Sequence, residues 1–125
     1  MSDPAPQTEV DRCFVPAGVG ARRKLGPGVE ICVTAGEGLM LSLVNLEPGS
    51  IVPEHSHPHE QMGMMLSGRA EFTIGGVSRI LGPGDSWRIP GHVLHEVRTL
   101  DEGPAVALDV FHPVREDYLT PDPKD

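Results

Sequence analysis

Apolar residues fall in short runs along the chain, separated at roughly regular intervals by glycine, proline and small polar residues. The runs read as strands over Val29–Ala35, Leu39–Leu46, Gln61–Leu66, Ala70–Ile74, Val77–Leu81, Ser86–Ile89, Val93–Thr99 and Val106–Phe111, with a further candidate at Gly20–Leu25. Leu39–Leu46 alternates less cleanly than a one-sided strand, which predicts burial on both of its faces. The separators are turn chemistry: Pro48-Gly49, the hairpin signal Gly75-Gly76, the tight turn Gly82-Pro-Gly-Asp85, and Pro90-Gly91. No segment carries a long stripe of period 3.6. The best helix candidate, Val114–Leu119, is one or two turns. Short strands with Gly/Pro turns predict an all-β sandwich or barrel over residues 13–118, flanked by polar, Pro-rich tails at 1–12 and 119–125.

Composition sharpens this picture. The chain has 125 residues, a length suited to one domain, and its 15 Gly and 13 Pro leave little room for helices. Eighteen acidic against ten basic side chains give a net charge of −8, so a nucleic-acid backbone is not an expected partner. Arg22-Arg23-Lys24 reads as a solvated strand end. No apolar run is long enough to span a bilayer, and the N-terminus lacks the basic and apolar regions of a secretory signal, so a cytoplasmic location is expected. Cys13 and Cys32 form neither a disulfide framework nor a C-x-x-C site, and Cys32 reads as a small buried hydrophobe.

Three of six histidines lie in Glu54-His55-Ser-His57-Pro-His59-Glu60-Gln61. On an extended segment, His55 and His57 point to one side and can present imidazoles to a common point, the arrangement a metal needs from neighbouring ligands. A third ligand is expected from His95, which begins an apolar alternation, rather than from His92 beside the Pro-Gly turn. A second constellation lies in Asp109-Val-Phe111-His-Pro-Val-Arg115. Asp109 and Phe111 share a strand face. A carboxylate inside a small barrel has its pKa raised toward general-base values, and Arg115 offers a fork for a carboxylate. An ordinary Asp109–Arg115 ion pair with Phe111 in the core fits the same spacing.

Gly49-x5-His55-x-His57-x3-Gln61-x6-Gly68 and Gly84-x5-Pro90-x4-His95 resemble the two cupin motifs, which implies a double-stranded β-helix barrel with a metal in its mouth. The usual first-motif Glu is replaced by Gln61. An all-neutral ligand set leaves a divalent ion its full +2 charge and makes it a stronger Lewis acid. His59 is the alternative fourth ligand, disfavoured because Pro58 disturbs the extended geometry. Together with Asp-x-Phe-x3-Arg-Glu-Asp-Tyr, the motifs resemble the KdgF family, cupins that linearise 4,5-unsaturated monouronates to open-chain keto uronates. That resemblance implies one divalent metal (Zn, Ni, Mn or Fe) on His55, His57, Gln61 and His95. It also implies an active site of Asp109, Phe111 and Arg115, and a small anionic substrate. Met62-Gly-Met-Met65 departs from the family, in which an aromatic follows the Gly, so a different pocket wall is expected. Competing functions are a non-haem iron dioxygenase, lyase or cyclase, and a non-catalytic sugar-binding cupin. A homodimer is expected, with Gly20–Leu25 adding to a neighbour's sheet.

Overall fold

A computed structural model of the chain describes residues 10–120; the expected tails lie mostly in 1–9 and 121–125, outside the described residues. The elements are β1 (Ala21–Gly26), β2 (Val29–Ala35), β3 (Met40–Leu46), β4 (Ile51–His55), β5 (Glu60–Ser67), β6 (Ala70–Ile74), β7 (Val77–Leu81), β8 (Ser86–Ile89), β9 (His95–Thr99), β10 (Ala105–His112) and the short helix α1 (Glu116–Leu119). They form a six-stranded sheet in the order β1-β2-β3-β10-β5-β8 and a four-stranded sheet in the order β4-β9-β6-β7, with every pairing antiparallel. No helix among the described residues is long and apolar enough to cross a membrane.

The alternation that predicts the strands also sets the layers. Met40, Ser42, Val44 and Leu46 on β3, and Ala105, Ala107 and Phe111 on β10, are buried toward the four-stranded sheet. Phe72 on β6 meets them from the other side, its ring centroid 4.3 Å from that of Trp87 on β8. The ladders of the two sheets do not join, so the lumen lies between facing sheets in a jelly-roll arrangement. Three expectations need correction. β3 is buried on one face only, with Leu41 and Leu43 exposed on the outer side of the sheet, which the segment 15–20 borders without burying them. Cys32, on that same outer side, is part-exposed rather than core. β4 is an additional strand; Pro53 and Glu54 break its apolar pattern, and its place at a sheet edge tolerates the proline.

Gly63 is a packing requirement. A Cβ there would stand 2.3 Å from the Trp87 ring and 2.6 Å from the Leu108 carbonyl oxygen. The ring and the backbone cannot both give way, so Gly63→Ala is expected to cost roughly 3 kcal/mol by urea denaturation, at the upper end for overpacking. A variant within ~0.5 kcal/mol of the parent, as for an ordinary surface change, would show that the indole is free to move.

Candidate metal centre and lumen

The hydrogen-bond register of the four-stranded sheet sets His55, at the end of β4, directly opposite His95, at the start of β9. A register shift between Val52 and His55 re-aims the end of β4, as bulges do. His57 follows in the loop, which the 90–93 turn pins. The His92 N–H donates to the His57 carbonyl at 2.7 Å, and Gly91 leaves room for the Pro58 carbonyl, where a Cβ would stand 2.4 Å away. His92 adopts φ +68°, a conformation unusual for a residue with a side chain, and remains exposed as expected.

One ring nitrogen from each of His55, His57 and His95 lies within 4.8 Å of the others. Each Nδ1 faces a backbone carbonyl two residues away: Pro53 at 2.8 Å for His55, His59 at 3.1 Å for His57, and Val93 at 2.8 Å for His95. Donation from Nδ1 leaves the Nε2 lone pairs for a cation, the pattern by which outer-shell acceptors orient metal-bound imidazoles. Burial first, and then the nearby Arg115 guanidinium, lowers the His57 pKa to about 4. Burial likewise lowers that of His95, so both are neutral ligands at pH 7. His95 Nε2 is buried and has no hydrogen-bond partner. The trio therefore fits a divalent transition metal. His59 lies outside the trio, its ring stacked edge-on to His57.

Gln61 stands beside the trio on β5. Its Oε1 is 3.0 Å from His57 Nε2, and its Nε2 donates to Asp109 Oδ1 at 2.9 Å. The same Oδ1 accepts from Trp87 Nε1 at 3.1 Å. The ladder explains the convergence: Asp109, Gly63 and Trp87 are successive cross-strand neighbours on β10, β5 and β8. The bare Gly63 between them is what lets the indole reach the carboxylate, so Met62-Gly-Met-Met65 marks this passage. Loss of water pushes the Asp109 carboxyl up to about 6, against the pull of its two donors and of Arg115.

Asp109 and Arg115 do not form the ordinary ion pair. Arg115, buried after β10, donates to the Tyr118 hydroxyl at 2.7 Å and to Asp117 Oδ2 at 3.0 Å. Its guanidinium stacks 3.9 Å from the centre of the Tyr118 ring and 5.2 Å from that of Phe111. Phe111 in turn packs edge-on to His57, with centroids 5.7 Å apart. Arg23 of β1 ties this segment down by donating to the carbonyls of Asp117 and Thr120, rather than being a solvated strand end. Arg69 faces outward to Glu102. Trp87 is a site residue that sequence reasoning missed, whereas Tyr118 closes the Asp-x-Phe-x3-Arg-Glu-Asp-Tyr motif but has no role of its own there. A lone Trp on a buried strand face was the available signal for the first.

A jelly roll with imidazoles from two neighbouring strands, β4 and β9, and from the loop that follows β4 defines a cupin. Residues 42–111 match the family described as Cupin domain, and the chain belongs to that family. Within it, the chain is KdgF-like: it is 35% identical over 98 residues to the pectin degradation protein KdgF of Dickeya dadantii, covering 77% of this chain and 88% of that protein. The structure of KdgF from Halomonas sp. superposes with a TM-score of 0.77 at 30% identity, covering 85% of this chain and 97% of the other. The dimethylsulfoniopropionate lyase DddQ of Ruegeria pomeroyi is 39% identical over 75 residues, 59% of this chain and 37% of that protein.

Proposed function

We propose that the chain is a metal-dependent KdgF-type enzyme that opens a 4,5-unsaturated monouronate to its linear keto form. The carrying observation is Asp109. It is a carboxyl with pKa raised to about 6, steered by Gln61 and Trp87, in the same lumen as three convergent imidazoles. His55, His57, His95 and Gln61 would hold the ion, which when bound supplies Lewis acidity toward the oxygens of the substrate. Asp109 takes the proton of the O1 hydroxyl. The C1=O bond forms, the C1–O5 bond breaks, and its electron pair goes to the C5 oxygen. Delivery of the same proton to C4 turns the C5 enol into a ketone, so the change is an isomerisation that needs no oxidant. A group titrating near neutrality suits both halves of that transfer.

Arg115 is the carboxylate partner in this reading. Its Nε is buried without a partner, and the adjacent Nη2 is held by the half-exposed Asp117. A substrate carboxylate that displaces Asp117 gains both donors of one guanidinium edge. Phe111, packed between His57 and Arg115, keeps water from the reacting carbons.

The test is conversion of 4,5-unsaturated galacturonate by protein carrying one equivalent of Zn, Ni, Mn or Fe. Loss of the unsaturation with stoichiometric open-chain product, and no oxygen uptake, is the expected result. An inert protein with all four metals would remove this reading.

A further inference from the structure

Tyr118 is the single tyrosine of the chain, and it lines the same cavity as Gln61, His95 and Asp109. Backbone and ring are both held in place. Arg23 of β1 donates to the carbonyls of Asp117 and Thr120, on either side of it in the chain, at 3.1 and 3.0 Å. Its own N–H donates to the Arg115 carbonyl at 3.0 Å, and its ring packs edge-on to Phe111 with centroids 5.7 Å apart. A phenol can accept and donate at once. The oxygen accepts from Arg115 Nη1 at 2.7 Å, while no acceptor among the described residues takes its proton. That proton stays on the oxygen at neutral pH, since burial above all pushes the group up to about 12. Donation from Arg115 polarises the O–H bond and makes the hydroxyl a stronger donor in its turn.

We propose that Tyr118 is a further catalytic residue, its hydroxyl donating a hydrogen bond to the C5 oxygen of the uronate as the C1–O5 bond breaks. The inference rests on the uronate reading and gives a partner to the charge that this reaction creates. Cleavage of C1–O5 leaves an electron pair on that oxygen, conjugated with the C4=C5 double bond. The carboxylate carbon of the substrate is bonded to C5, which also carries this oxygen. A carboxylate seated on the Nε/Nη2 edge of Arg115 therefore brings the C5 oxygen to the flank of the guanidinium, where Nη1 holds the phenol. The phenol keeps its proton throughout. When Asp109 delivers its own proton, the pair on oxygen becomes the C5=O bond and the double-bond pair binds the proton at C4. A donor fixed where charge develops, in a site shielded from water, lowers the barrier with no reorganisation at the moment of reaction. Arg115 alone would leave that oxygen without this donor, because its free edge is taken by the carboxylate.

Single-turnover rates of the metal-loaded whole chain on 4,5-unsaturated galacturonate test the assignment. Tyr118→Phe keeps the ring against Arg115 and Phe111 and removes only the hydroxyl. Its rate is expected to fall roughly 10²–10³-fold, the cost of one such donor, with substrate affinity within about twofold of the parent. Because the chain has one tyrosine, growth on 3-fluorotyrosine or 3,5-difluorotyrosine alters this position alone. Each fluorine makes the phenol a stronger donor and a poorer acceptor. A donor to the substrate predicts a rate that rises from tyrosine through the monofluoro to the difluoro protein. A phenol that only orients Arg115 predicts a rate that falls. A Tyr118→Phe rate equal to the parent's would overturn the assignment, and so would a rate that stays flat or falls on fluorination. Either result beside an active parent removes this inference alone, whereas a parent inert with Zn, Ni, Mn and Fe removes the uronate reading and this inference with it.

Discussion

Asp109→Asn is expected to abolish turnover while leaving a protein more stable than the parent. The Asn carbonyl can accept both the Gln61 and the Trp87 hydrogen bonds, so the cross-strand row survives. What disappears is the group proposed to shuttle the proton, and loss of a positioned acid–base group costs roughly 10²–10⁴-fold in rate. The stability gain comes from the same residue. A carboxyl raised to about 6 in the folded protein contributes stability that is full below its unfolded pKa, near 4, and is lost as pH climbs through 6. Two pKa units correspond to about 3 kcal/mol, so metal-free Asp109→Asn should exceed the parent by up to that amount at pH 8 and match it near pH 3. Urea denaturation across pH, beside turnover of the metal-loaded protein, reads both effects. Retained turnover would show that the proton travels another way. A parent curve flat between pH 4 and 7 would show that Asp109 is not desolvated.

The second large effect concerns His95, whose Nε2 is buried and has no hydrogen-bond partner. A metal present at 100 times its dissociation constant should stabilise the parent by about 2.7 kcal/mol, about 10 °C in Tm for a domain of this size. In His95→Ala only two imidazoles and an amide remain. Even a 100-fold loss of affinity, the upper end for losing an outer-shell partner, would leave about 0.4 kcal/mol. Comparing Tm with and without metal within each variant separates this from the packing cost of removing a buried ring. An undiminished metal increment in His95→Ala would place the ion elsewhere.

Eight strands were legible because each has one face against the opposing sheet, and alternation with Gly/Pro turns records that directly. The His55–His57 pair and the Asp109-x-Phe111-x3-Arg115 spacing were legible for a related reason: short-range parity fixes which side chains share a strand face. β4 escaped because Pro53 and Glu54, harmless at a sheet edge, erase its apolar pattern. Leu39–Leu46 misled in an informative way. Its two apolar faces promised two buried sides, and the described residues bury only one.

What the sequence determined by itself is local: which residues extend, where they turn, and which side chains lie on a common face. Tertiary structure decided the partnerships. Arg115 is held by Asp117 and Tyr118 rather than by Asp109, and a tryptophan from β8 reaches the carboxylate on β10 across a glycine of β5. These contacts join residues far apart in the chain through the order and register of the strands. That order is set by how two sheets bury their apolar rows against each other, which no local pattern of residues encodes.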